Sequence, residues 1–280
     1  MTGAPTDATA GGVRPRRYRP TATLWATGAL HAGVAAALAA RPATWTAGLL
    51  LLLANHVALA ALGVSPRSRA LGPNLRRLPT ADRTVALTFD DGPDPEVTPR
   101  VLELLAARGQ RATFFCIGRR ALAAPSLVAD LAAQGHRVEN HTHSHSNLFS
   151  FYPPRALRRE IGAAQATLHR LAGTPPRYLR APAGVRSPWL EPVLVSLGLH
   201  LASWTRRGYD TVTTEPDRIH RRLTADLAPG DVLVLHDRRR AAGGPPPVLE
   251  VLPRLLDVLE ERGLRSIPLP DPGRAVVGVD

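Results

Sequence analysis

The sequence predicts an α/β fold: a parallel sheet with helices on its outside, closed or nearly closed as a barrel, preceded by an N-terminal hydrophobic helical hairpin. Three observations predict it. Two long uncharged apolar runs lie ahead of residue 67. From residue 84 onward, short β-rich runs alternate with segments of helical periodicity, and repeated β-then-α units imply a parallel sheet. Polar clusters follow these strands, as in folds whose chemistry sits on loops beyond the strands' carboxyl ends.

The 280 residues suffice for one ordinary domain and an extra segment. Hydrophobic residues make up 44% and aromatics 5%, so the core must rest on Leu, Val and Ala. The one cysteine, Cys116, can form no internal disulfide and leaves the redox compartment open. Of the net charge of +12, residues 1–80 carry +8, from nine Arg and Asp7. That excess flanks the apolar runs and reads as a membrane-topology signal. No basic patch interleaved with aromatics appears, so no nucleic-acid partner is expected.

Residues 1–20, rich in Gly, Pro, Thr and Arg, are expected to be a disordered basic N-terminus. Uncharged runs of 21 residues (20–40) and 25 residues (42–66) follow, each long enough for a helix across a ~30 Å hydrocarbon core. They place predicted transmembrane helices at about 21–40 and 43–64. Asn55 and His56 should face the partner helix, because unpaired polar groups in lipid are costly. Three membrane arrangements fit. A tight hairpin turning at Arg41-Pro42 puts eight Arg on one side and one on the other, hence the domain that follows on the cytoplasmic face of the cell membrane. Alternatively, 21–39 is a signal sequence cleaved near Ala37-Leu38-Ala39 and the second segment anchors an exported domain. In a third, only the second segment spans. The charge count favours the hairpin. A soluble hairpin packed on the domain is the competing structural reading. Residues 65–83 are a Pro- and Arg-containing linker, with a boundary near Ala81.

Thr84–Phe89 reads as a buried strand. Thr98 is placed to cap a helix with Pro99 at its first position, ended by Gly109. A strand at 112–117, a helix at about 126–134 stopped by Gly135, and a short strand at 137–139 follow. Leu157, Ile161, Ala164, Leu168 and Leu171 recur at helical spacing, and Gly173 closes that helix. Then come a strand at 177–179, a helix at about 188–197, a strand at 199–204, and a helix marked by Ile219, Leu223 and Leu227. A strand at 231–235, a helix at 248–262 and a strand at 264–267 complete the domain, leaving 271–280 as a tail.

Five clusters carry candidate chemistry. Thr88-Phe89-Asp90-Asp91-Gly92-Pro93 sets adjacent carboxylates at a strand end, where a cation beside one would leave the other free as a base; an ordinary Asp-Gly-Pro turn is the alternative. Asn140-His141-Thr142-His143-Ser144-His145 holds three of the ten histidines. His141 and His145, four apart, can face one way and form a His₂-carboxylate site with open positions, as catalytic zinc requires. His143 should point elsewhere. Arg180, in Leu179-Arg180-Ala181-Pro182-Ala183-Gly184, could clamp Asp90, and a loop N–H could serve an oxyanion. Trp204 to Asp210 supplies an aromatic wall and a carboxylate. Asp231 to Asp237 delivers His236 to a strand end, where it is placed as a general acid oriented by Asp210.

Residues 84–269 resemble the polysaccharide deacetylase family, carbohydrate esterase family four, which includes nodulation chitooligosaccharide deacetylases. Thr88–Pro93 and His141-x-x-x-His145 carry the resemblance. It implies a distorted (β/α) barrel of about seven strands spanning 84–270. It also implies Asp90 as base, Asp91, His141 and His145 as ligands of a divalent metal, Zn²⁺ by preference, Arg180 as positioner of the base, and His236 as acid with Asp210 as its partner. Ala183 falls at the oxyanion donor, where the family has an aromatic residue. Leu235 falls at the acyl-pocket wall, with Trp204 and Tyr209 as further pocket residues. The fourth motif departs: Thr211 stands where the family has a pocket tryptophan. The implied activity is metal-dependent hydrolysis of the N-acetyl group of an amino sugar in a cell-envelope glycan, a chitooligosaccharide or a lipid-linked sugar. An O-acetyl esterase or deformylase on a lipid-linked sugar would use the same residues, and a non-catalytic membrane-anchored sugar-binding module would keep the fold.

Overall fold

The computed structural model describes residues 16–80, 82–238 and 244–272. Most of the expected disordered N-terminus, the boundary residue Ala81 and most of the C-terminal tail lie outside the described residues. Seven strands, all parallel, form one curled sheet. They are β1 (Thr84–Asp90), β2 (Thr113–Cys116), β3 (Arg137–Asn140), β4 (Tyr178–Leu179), β5 (His200–Leu201), β6 (Arg206–Arg207) and β7 (Val232–His236), in spatial order β5-β4-β3-β2-β1-β7-β6. A short β8 (Arg265–Ser266) pairs with Thr84 and Val85 of β1. Every strand expected from sequence is present, most of them shorter. The added strand is β6, whose Arg-Arg sequence carries no β signal; it forms by pairing with Leu233 and Val234.

Strand phase separates two layers. Val85, Leu87 and Phe89 point outward into a core shared with Phe114, Leu233, Leu235 and the helices. Ala86, Phe115, Tyr178, Val232 and Val234 fill the inside of the curl. This alternation is the period of 2 of a strand, and it sends Thr88 and Asp90 inward. The helices are α3 (Thr98–Ala107), α4 (Gly118–Ala123), α5 (Pro125–Ala133), α6 (Pro154–Ala172), α7 (Leu190–Ser196), α8 (Pro216–Thr224) and α9 (Val248–Glu261). Thr98 does not cap α3 as expected. It is the first helical residue, and its hydroxyl turns back to accept from Asp94 N–H and donate to Asp237. The helix has no side-chain cap; Asp94 accepts from the N–H groups of Glu96 and Val97 in the turn ahead of it. The short α4 was not expected; it begins at Gly118, where His143 packs closely. Leu227 lies beyond the end of α8 but still joins the core.

Two apolar helices, α1 (Ala22–Ala40) and α2 (Trp45–Val64), form the hairpin, turning at Arg41 and Pro42. Both are long and apolar enough to cross a membrane, and only 6% and 17% of their apolar windows are buried, which separates them from core helices. Their contact is as expected from the polar residues. Thr27 Oγ1 donates to Asn55 Oδ1 at 3.1 Å, and the His31 and His56 rings meet edge-on with centroids 5.3 Å apart. Trp25, Trp45 and Leu49 to Leu51 are exposed.

Residues 65–80, expected as a linker, are part of the folded body. Leu71, Asn74 and Leu78 are buried. Leu75 bridges Ala202 and Arg77 bridges Asp231, so this segment crosses the opening of the curl between the β5 edge and the start of β7. The hairpin base is also tied down: Arg186 N–H donates to Gly63 C=O at 3.1 Å, Thr21 Oγ1 to Ala70 C=O at 2.6 Å, and Arg16 pairs with Glu191.

Candidate active site

The parallel sheet delivers the ends of β1, β3, β4 and β7 to one mouth, where a single pocket is lined by Asp90, Asp91, His141, His145, Trp204 and His236 among others. Register places Asp90 directly beside His236. The loops that follow are held in costly backbone. Asp91 (φ 73°), Thr142 (φ 64°), His145 (φ 53°), Ala183 (φ 54°) and Tyr209 (φ 62°) all have left-handed φ. Such conformations persist only where surroundings over-determine them, and they concentrate at functional sites.

Arg180 is wholly buried and organises the floor. Its Nη1 donates to Asp90 Oδ1 at 2.6 Å and to Thr88 Oγ1 at 2.7 Å, and its Nη2 to Ser203 C=O at 2.9 Å. Its guanidinium lies 4.0 Å from the centroid of Phe115. Removal of either partner would strand a buried charge, so the Asp90 carboxylate is fixed in place.

Asp91, His141 and His145 each offer one ligand atom, all within 4.8 Å of one another. His141 Nδ1 lies 2.8 Å from Arg180 C=O. A carbonyl only accepts, so Nδ1 donates to it and Nε2 is the nitrogen turned toward Asp91. Asp91 Oδ1 lies 3.3 Å from His141 Nε2 and 3.2 Å from His145 Nε2, yet it is buried without a hydrogen-bond partner. Burial pushes the Asp91 carboxyl up, but His141 foremost, then His236 and His145, outweigh it and hold the carboxyl well below the usual range. Burial, then the neighbouring His141, lowers His145. Two imidazole nitrogens and an ionised carboxylate with an unsatisfied oxygen between them are a donor set that suits a divalent cation, and three protein ligands leave positions open.

Across the pocket, Asp210 grips His236 twice: Oδ1 lies 2.8 Å from Nδ1, and Oδ2 accepts the His236 backbone N–H at 2.8 Å. Burial opposes the charged imidazole, but the charge and hydrogen bond of Asp210, then Asp90 and Asp91, push it up to about 9. Nε2 is left for the pocket as a proton donor at neutral pH.

Some expected residues are placed otherwise. Leu235 does not line the pocket; it points outward into the helix-facing core, and Val234, one residue earlier and of opposite strand phase, lines the pocket in its place. Tyr209 is exposed, stacked between Arg207 and Arg222 with guanidinium-to-ring distances of 4.9 and 5.1 Å, and is not among the lining residues. Ala183 and Trp204 do line it, as does Thr211. His143 turns away from the ligand candidates toward Gly118. Two residues sequence reasoning left unassigned belong here. Arg238 Nε pairs with Asp91 Oδ2 at 2.7 Å. Asp237 is fully buried beneath Gly92, where a Cβ would stand 2.3 Å from its Oδ2. Burial foremost, and then Asp91 and Asp90, push Asp237 up to about 8. Both follow His236 directly, and that adjacency was the available signal.

Comparison with known proteins places this geometry. A family model described as polysaccharide deacetylase matches residues 77–202. A chitooligosaccharide deacetylase of Sinorhizobium fredii is 34% identical over 211 residues, covering 69% of this chain and 96% of that protein. A peptidoglycan-N-acetylglucosamine deacetylase of Bacillus cereus is 32% identical over 186 residues, covering 66% of each. Among solved structures, a family 4 carbohydrate esterase from Streptomyces lividans in complex with acetate superposes with a TM-score of 0.59 at 31% identity, covering 65% of this chain and 91% of that one. With a relative 34% identical matched along 96% of its length, and the pocket built at the sheet's carboxyl end, the chain belongs to the polysaccharide deacetylase family.

Proposed function

We propose that the chain hydrolyses the N-acetyl group of an amino sugar with a divalent metal held by Asp91, His141 and His145, zinc being the ion its two imidazoles and one carboxylate suit best. The observation that carries this is the pocket's division of labour. A clamped carboxylate and a His₂-carboxylate donor set stand on one side, and a cationic His236 stands on the other. When bound, the ion supplies Lewis acidity to the acyl oxygen and to the attacking water.

The remaining steps belong to the chain. Asp90, oriented by Arg180, accepts the proton of the attacking water as the new C–O bond forms. The Ala183 backbone N–H donates to the developing oxyanion, a role that needs no aromatic side chain. His236 delivers its Nε2 proton to the departing nitrogen as the C–N bond breaks, and Asp210 stabilises the cation that precedes this transfer. The products are acetate and a free amino sugar. Val234, Trp204 and Thr211 bound the acyl site; Thr211 gives a shorter wall than tryptophan would.

The relatives named for chitooligosaccharide and peptidoglycan substrates share N-acetylglucosamine, which is the sugar proposed here. The hairpin anchors the pocket in the cell membrane, with the domain on the cytoplasmic face by the Arg count, which favours a lipid-linked form of that sugar. The test is product analysis with full-length protein in detergent. N-acetylglucosamine oligomers, a lipid-linked N-acetyl sugar, and N-formyl and O-acetyl analogues are supplied separately. Acetate from the N-acetyl sugars, fastest from the lipid-linked one, is expected. Formate, or O-linked acetate, as the dominant product would transfer the assignment to a deformylase or an esterase.

A further inference from the structure

A second cavity, of about 790 Å³, opens at the mouth of the hairpin and is separate from the catalytic pocket. Five arginines line it: Arg19, Arg67, Arg69, Arg76 and Arg77. No carboxylate lines it among the described residues. Arg77 is committed to Asp231 at 2.6 Å, whereas Arg19, Arg67 and Arg69 have no acidic partner among the described residues. Partial burial and the nearby charges of Arg69 and Arg67 lower Arg76, the signature of cations crowded without compensation. Like charges gathered around a cavity cost folding free energy unless an anion fills it.

Position identifies the kind of anion. Arg19 and Thr21 lie just ahead of α1, and Arg67 and Arg69 lie just after α2. If the hairpin spans a bilayer, both pairs stand at headgroup depth on one side. Residues 66–78 are pinned to the folded body by Leu75 and Leu78, and Pro66 packs against Gly184, where a Cβ would meet it at 2.8 Å. The arginines are therefore displayed on an ordered segment rather than on a flexible tail. Guanidinium groups suit phosphate oxygens because their paired N–H donors match the oxygen spacing.

We propose that this cavity binds the phosphate of an anionic membrane lipid headgroup, locking the catalytic domain against the bilayer surface. The proposal rests on the membrane reading of the hairpin and not on the deacetylase chemistry, so acetate release is not its readout. Thr205 lines this cavity and Trp204 lines the catalytic pocket, so a lipid held here would fix the pocket's distance from the bilayer.

The test uses full-length protein in a neutral detergent, with binding followed by titration calorimetry. The probes are dioctanoylphosphatidylglycerol, its phosphate-free counterpart dioctanoylglycerol, and inorganic phosphate. Saturable one-site binding of the phospholipid is expected, with dioctanoylglycerol inert and inorganic phosphate much weaker. Arg69→Gln/Arg76→Gln should weaken phospholipid binding about tenfold or more, since each basic residue near an anionic surface contributes on the order of 1 kcal/mol, and two together somewhat more than a factor of ten. Arg17→Gln/Arg119→Gln, which removes the same charge outside the cavity, should change it less than about twofold. Equal weakening by both pairs would mean diffuse attraction and overturn the site. Equal binding of dioctanoylglycerol, or inorganic phosphate as tight as the lipid, would overturn the lipid-phosphate assignment even if every variant failed to fold, because both are measured on the unaltered chain.

Discussion

Replacing Asp210 with Asn removes a charge from beside His236 while preserving the size of the side chain. Asp210 holds the imidazole through two contacts of 2.8 Å, and it is the largest influence raising His236 to about 9 against the opposing effect of burial. A general acid must be protonated, so the rate is full below its pKa and lost as pH rises through it. With the pKa at about 9, roughly 90% of His236 is protonated at pH 8. At the ordinary value of about 6.5, only ~3% would be. Without Asp210, burial is left opposed only by Asp90 and Asp91, so His236 should fall to the ordinary value or below. The expected loss at pH 8 is about 30-fold or more in kcat, shrinking toward pH 6. The assay is kcat for acetate release across pH 5 to 10, with bound zinc measured in parallel. The alkaline limb should move acidward by about 2.5 units or more with metal content unchanged. Superimposable alkaline limbs for variant and unaltered protein would refute the role given to the pair.

Three further outcomes are expected. Arg180→Met strands the buried Asp90 carboxylate and should cost about 3–5 kcal/mol of stability, read by denaturant unfolding; a loss under 1 kcal/mol would contradict a buried ion pair at this point. Gly92→Ala drives a methyl group into the Asp237 carboxyl, 2.3 Å from the ideal Cβ, and should cost roughly 1–3 kcal/mol, seen as a lowered unfolding midpoint. Zinc should raise the melting temperature of the metal-stripped chain, because a ligand bound only to the native state stabilises it by mass action; Asp91→Ala should abolish that rise, and an unchanged rise would place the ion elsewhere.

The site was legible where its residues are close in sequence or stand at strand ends. Asp90-Asp91 and His141-x-x-x-His145 are local patterns whose chemistry can be read without the fold, and Arg180, Asp210 and His236 follow from the rule that strands deliver residues to one mouth. Phase was harder. Leu235 and Val234 are both apolar, and only the pairing of His236 with Asp90 decides which faces the pocket. Residues 65–80 read as a linker because Pro, Arg and Ser dominate there, yet Leu71, Asn74 and Leu78 are buried and close the gap in the curl. A composition average cannot reveal a few buried residues among polar neighbours. β6 was invisible because Arg206 and Arg207 become a strand only through their partners in β7. Thr98 reads as a helix cap because threonine is a good capping residue, and only the fold shows that its hydroxyl is drawn to Asp237.

The most direct test of the account is acetate release by full-length protein from an N-acetylglucosamine oligomer, before and after chelation and after zinc is restored, with Asp90→Asn alongside. The account predicts release that chelation abolishes and zinc restores, and an Asp90→Asn chain that binds zinc but turns over at least ~10²-fold more slowly. Release that survives chelation, or an Asp90→Asn chain with undiminished turnover, would contradict it.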